Sequence, residues 1–138
     1  MTGLAAELQI AQDVKLAILG VHVSTPYSAQ TYELRSKQFA QIEDFATSTS
    51  IPLLVAGDFN STPWSLTFKQ LLENTALSAA SSTRLPLPTW RIRSLPIFFA
   101  QIDNVLYSDK LCVKRLNTLP DVGSDHWPLV ANFAVRRQ

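Results

Sequence analysis

Residues 51–65, IPLLVAGDFNSTPWS, constrain this chain more tightly than any other stretch. Five of the first six residues are aliphatic, and a near-continuous apolar run of this kind reads as a β-strand covered on both faces. The run passes straight into Gly57, Asp58, Phe59 and Asn60 and then turns polar. Side chains alternate along a strand, so Asp58 and Asn60 can project the same way from its exit. Aspartate offers oxygen to a hard cation or accepts a proton from water, and asparagine offers amide donors to a bound anion. The same pair also closes strands as an Asx turn. This stretch alone leaves both readings open.

A covered strand needs partners, and the chain supplies them on both sides. AELQIAQDVKLAILGVHV reads as two strands about a Gln12–Asp13 turn, the second running from about Val14 to Val23. SAQTYELRSKQFAQIEDFATSTS is helical, with Phe39, Ile42, Phe45 and Ala46 on one face. After a turn at Ser61, Thr62 and Pro63, WSLTFKQLLENT reads as a short helix carrying Leu66, Phe68, Leu71 and Leu72. Residues 76–100, rich in serine and proline, read mostly as loop, and a loop of that length invites a functional role. QIDNVLYS, LCVKRLNTL and PLVANFAV read as three further strands. The order β-β-α-β-α-loop-β-β-β predicts an α/β (α+β) domain: a mixed, mainly antiparallel sheet with helices packed on it.

Three more features carry chemistry. In DVGSDHWPLV, a Gly-Ser turn presents Asp125 and His126 just before a strand restarts. Such a pair can divide labour between a metal and a proton or phosphate oxygen, although His126 could equally cap the strand. Asp103 falls in the first part of an apolar strand, where an unpaired carboxylate is expensive to bury, so a partner is expected and a histidine is a natural one. His22 stands near the end of a buried strand, before a polar turn.

Charge and cysteine content exclude several classes. Twelve Lys and Arg against 11 Asp and Glu leave a formal charge of +1, which argues against a protein that holds nucleic acid by bulk electrostatics. Arg84, Arg91 and Arg93 do flank Trp90, within reach of a phosphate-bearing substrate or as a solvated loop around an inward Trp90. The lone Cys112 has no internal disulfide partner and leaves the compartment open. No apolar run reaches membrane-spanning length. With 46% hydrophobic and 17% charged residues, the 138-residue chain has the composition and length of one globular domain.

Taken in order, GVHVSTP, VAGDFNSTPWS, IDNVLYS and SDHWPLV resemble the second half of the endonuclease/exonuclease/phosphatase family, of deoxyribonuclease-I-like fold. The pairing of GVH and GDFNSTPWS with PTW is similar to a bacterial subgroup of hydrolases, and the match runs from roughly Val14 to Val135. The resemblance implies roles. Asp58 corresponds to the carboxylate that orients or activates the attacking water, and Asn60 to the amide that holds the scissile phosphate. Asp125 corresponds to the metal-binding carboxylate and His126 to the imidazole on the phosphate. Asp103 is similar to the carboxylate that pairs with that histidine, and His22 to one that binds or protonates phosphate. The implied reaction is attack of water on a phosphodiester or phosphomonoester with Mg²⁺ (or Mn²⁺) bound, on a nucleic acid, phospholipid or inositol phosphate.

The resemblance also sets an expectation about completeness. In that family two similar halves form a four-layer α/β sandwich, and the first half supplies an Asn and a Glu that is a principal metal ligand. Residues 1–138 resemble one C-terminal half, expected to be an excised piece or a natural half-domain, with weak metal affinity and little activity of its own. A non-catalytic packing or interaction module is the alternative. The sheet face away from the helices is then expected to be apolar and to drive self-association.

Overall fold

The computed structural model describes residues 3–81, 85–92 and 94–136; Arg84 and Arg93 lie outside them. Strands β1 (Gly3–Ala11) and β2 (Val14–His22) pair antiparallel about the Gln12–Asp13 turn. The Gln9 side chain holds that turn by donating to the carbonyls of Ala11 and Gln12 at 2.6 and 2.8 Å. Helix α1 (Ala29–Ser48) starts at Ser28. Ser28 Oγ accepts from the Thr31 N–H and Thr31 Oγ1 accepts from the Ser28 N–H, so two of the unpaired donors at this end are satisfied reciprocally.

Strand β3 (Leu53–Asp58) leads through a turn to helix α2 (Leu66–Thr75), capped by Ser65, whose hydroxyl accepts from the Phe68 N–H. There follow β4 (Ser78–Ala79), β5 (Trp90–Ile92), β6 (Leu95–Ala100), β7 (Asp103–Tyr107), β8 (Leu111–Thr118) and β9 (Leu129–Val135). Residues 76–100 are therefore not loop throughout. They contain β4 and the β5–β6 hairpin, whose strands are too short and too interrupted by proline for a period-2 pattern to emerge.

The main sheet has the order β1-β2-β3-β7-β4; β2 and β3 run parallel and every other pairing is antiparallel. The β8–β9 hairpin forms its own two-stranded sheet, tied to β7 by Phe133 and Tyr107, whose ring centroids lie 5.4 Å apart.

Alternation divides the main sheet into two unlike faces. Ala17, Leu19 and Val21 of β2, Leu53 and Val55 of β3 and Leu106 of β7 are buried with Phe39 and Ile42 of α1 and Phe68 and Leu71 of α2. Phe59, just past β3, is fully buried between Phe39 and Phe68, at 6.4 and 5.5 Å. Each such side chain contributes about 1.5–3 kcal/mol by leaving water. On the opposite face Leu16, Ile18, Leu54 and Val105 are only half-buried, and Leu4, Leu8 and Ile10 of β1 are exposed. Among the described residues no helix is long and apolar enough to cross a membrane.

Candidate active site

Sheet register brings the site together. Because β2 and β3 are parallel, both exit at one edge, with His22 opposite Asp58. Strand β7 enters at that edge antiparallel to β3, with Asp103 opposite Asp58. His22, Asp58 and Asp103 thus form one row across three adjacent strands, on the face without helices. Gly57 permits the close approach: its φ is +146°, and a Cβ there would meet the Val21 carbonyl oxygen at 2.0 Å.

The β3 exit forms a locked turn. Asp58 accepts from the Asn60 backbone N–H at 2.7 Å and from Asn60 Nδ2 at 3.1 Å, and Nδ2 donates again to the Val23 carbonyl at 2.8 Å. Asn60 itself is left-handed, with φ 44°, a conformation asparagine tolerates better than most residues. His22 Nε2 lies 3.6 Å from Asp58 Oδ2.

The second arm arrives from the connection between β8 and β9. His126 Nδ1 lies 2.9 Å from Asp103 Oδ2, although the two residues stand 23 apart in the chain. Strand β5 splints this arm to the sheet. Thr89, fully buried, accepts through Oγ1 from the N–H groups of both Ile102 and Asp103 at 3.0 Å, and its carbonyl accepts from the Trp127 N–H at 2.9 Å. The Asp125 carboxylate accepts from the Trp90 indole at 3.2 Å, and its carbonyl accepts from the Arg91 N–H at 3.0 Å. Arg91 pairs with Asp121 and stacks on Trp127.

Electrostatics differ between the arms. Burial raises the Asp58 carboxyl above its ordinary value; the Asn60 N–H opposes the rise, nearby Asp103 adds to it, and His126 and His22 oppose it. Asp125, in water, is pulled below its ordinary value by a hydrogen bond from its own backbone and then by the Trp90 indole.

Ligand atoms of Asp58, Asp103 and His126 all lie within 4.8 Å of one another. Two carboxylates and an imidazole are a donor set that suits a divalent cation, which would also relieve the repulsion between the carboxylates. Asp125 is not a member of that trio. His22, Asp58, Asn60, Trp90 and His126 line one cleft of about 400 Å³, with Thr25 and Tyr27 at its rim. A larger cleft of about 1060 Å³ lies at the other end of the sheet, between Lys15, Ile51, Lys110 and Arg136; it lacks such a trio among the described residues.

Thr89 is the site residue that motif reading misses. It stood in the PTW stretch with no role assigned to it, because its partners, Ala100, Ile102, Asp103 and Trp127, come from two distant segments.

Comparison with known proteins follows this geometry. The family model described as endonuclease/exonuclease/phosphatase family matches residues 3–126. The human Nocturnin catalytic domain with bound sulfate superposes with a TM-score of 0.72 at 22% identity, over 97% of this chain and 53% of its own. An endonuclease/exonuclease/phosphatase from Beutenbergia cavernae gives 0.75 at 19% identity, over 95% and 38%. A mannosyl-6-phosphatase from Bacteroides thetaiotaomicron gives 0.61 at 14%, over 88% and 51%. No curated protein matches the chain. The chain spans between 38% and 53% of the length of these solved structures, and its mixed α/β architecture is theirs. By its matched family model, the chain belongs to the endonuclease/exonuclease/phosphatase family.

Proposed function

We propose that this chain carries one half of the site of a metal-dependent phosphoesterase, which hydrolyses a phosphodiester or phosphomonoester with activated water. The observation that carries the reading is the row His22–Asp58–Asp103, with His126 paired to Asp103 and lining one cleft with His22 and Asp58. Support comes from the neighbours, of which one binds sulfate, a tetrahedral oxyanion, and another is a phosphatase.

Each residue has a part. Asp58, desolvated and of raised proton affinity, is suited to orient the attacking water and take its proton. Asn60 holds Asp58 and lies where a phosphate oxygen competes for its amide. Asp103 fixes the His126 ring so that Nε2 faces the phosphate. His22 adds a second imidazole at the same edge. Asp58 and Asp103 would hold Mg²⁺ (or Mn²⁺), with Asp125 approaching from the exposed arm. The ion, when bound, neutralises charge that develops on the phosphate. Further ligands, a Glu above all, come from a complementary half of the kind the longer relatives contain; alone, residues 1–138 bind metal weakly and turn over slowly.

The test is hydrolysis of bis(p-nitrophenyl) phosphate with Mg²⁺ by the protein joined to such a half, with and without Asp58→Ala. Turnover is expected to fall by on the order of 10²–10⁴ in the variant; unchanged turnover overturns the assignment.

The apolar face is the second part of the proposal. Leu4, Leu8 and Ile10 are exposed beside half-buried Leu16 and Ile18, at about 1.5–3 kcal/mol for each large side chain left in water. A second copy packed face to face covers them through a two-fold contact. Sedimentation at micromolar concentration is expected to give a dimer, and a clean monomer removes this part.

A further inference from the structure

Arg35 is an arginine in the wrong place for a surface helix. It lies in α1, is 6% exposed, and among the described residues has no carboxylate at ion-pair distance. Its guanidinium carbon sits 4.9 Å from the Phe39 ring centroid, and burial lowers its proton affinity, with Tyr32 and Asp58 opposing. A desolvated cation of this kind is expensive unless its donors are used.

They are used on the site. Arg35 Nη1 donates to the carbonyls of Phe59 at 3.1 Å and Asn60 at 3.0 Å, with the Ser24 carbonyl at 3.5 Å. Gln38, one turn on, accepts the Ser24 N–H at 2.8 Å. Both strand exits, after His22 on β2 and after Asp58 on β3, are therefore held by the same helix face. The left-handed Asn60 turns its carbonyl out of strand direction, and that carbonyl meets the guanidinium.

We propose that Arg35 is a positioning residue: through the carbonyls of Phe59 and Asn60 it clamps the turn that holds Asp58 and Asn60 in working geometry. It does not line the cleft of His22, Asp58 and His126. Both contacts come from Nη1, and a lysine ammonium on a flexible stem lacks the rigid plane that aims this nitrogen at two carbonyls at once.

The clamp itself rests on geometry; its catalytic consequence rests on the phosphoesterase reading. Amide hydrogen exchange separates the two. In Arg35→Met the Asn60 amide, bound to Asp58, is expected to exchange on the order of 10²-fold faster than in the parent protein, while the β2–β3 ladder stays protected. Equal acceleration of all amides would mean that Arg35 only stabilises the fold, and unchanged protection of Asn60 would mean that it only packs; either overturns the clamp. Should Arg35→Met not fold, Arg35→Lys decides: it is expected to lose Asn60 protection selectively and in part, and full protection overturns the proposal. In the active assembly Arg35→Lys lowers kcat by on the order of 10-fold or more with KM little changed, since a small misplacement is costly to turnover. An unsubstituted protein without turnover would count against the phosphoesterase reading, with the Asn60 exchange result still deciding the clamp.

Discussion

The two arms of the site are built in opposite ways. Asp58 and Asn60 stand on a turn nailed to the core: Phe59 between them is fully buried, and Arg35 reaches up from below. Asp125 and His126 stand on an exposed connection, from Leu119 to Gly123 in water, held by hydrogen bonds to β5. The first arm is rigid because apolar burial surrounds it, and the second because polar groups are matched one by one. The consequence is visible in proton affinity. Two aspartates in one site are shifted in opposite directions, Asp58 upward by burial and Asp125 downward by hydrogen bonds in water.

If the second arm matters as much as the first, breaking it at the imidazole should cost as much. His126→Ala is expected to lower phosphodiester turnover by on the order of 10²–10⁴, with an unchanged circular dichroism spectrum. Asp103→Asn leaves the ring in place but takes away the carboxylate that orients it, for a smaller loss of about 10–100-fold. Equal losses in the two variants would mean that the Asp103 carboxylate serves the metal ion more than it orients His126.

A smaller effect is expected where β5 splints the second arm. Thr89→Val keeps the shape and removes the acceptor shared by the Ile102 and Asp103 N–H groups. A buried donor left unpaired costs about 1–3 kcal/mol, to be read from urea unfolding. A variant as stable as the parent would show that the second arm is held elsewhere.

The smallest effect is the pH dependence that sets the arms apart. Asp58 has a folded-state value above 3.8, so the folded protein binds its proton more tightly than the unfolded chain. Stability attributable to it therefore falls as pH rises from 3.8 through the folded value. Asp58→Asn should remove that decline. Asp125 has the opposite sign: its contribution is present above 3.8 and is lost on acidification. Asp125→Asn should flatten only the acid side. Unfolding midpoints from pH 3 to pH 8 read both, and identical profiles for the two variants would erase the contrast.

How far each arm could be read in advance follows from its construction. The β3 exit announces itself, because an apolar run that breaks at Gly57-Asp58-Phe59-Asn60 is local in sequence. Asp103 called for a partner on solvation grounds alone. The β5 splint gave no such notice, since three residues, Trp90–Ile92, cannot show a period and their partners are remote. Arg35 did leave a signal. It precedes Phe39 by one helical turn and so shares the apolar stripe of Phe39 and Ile42, but charge in a helix is ordinarily read as a solvated face.

By itself the sequence determined both helices, the strands outside residues 76–100, their order and the family to which the chain belongs, because these depend on neighbours a few residues apart. Tertiary structure alone decided that β2 and β3 run parallel with His22 opposite Asp58, and that β7 returns with Asp103 in the same row. It also decided which aspartate would hold its proton more tightly. Register and burial are properties of non-local pairing: a shift of one residue along β3 would turn Asp58 to the other face of the sheet, with no change in the sequence.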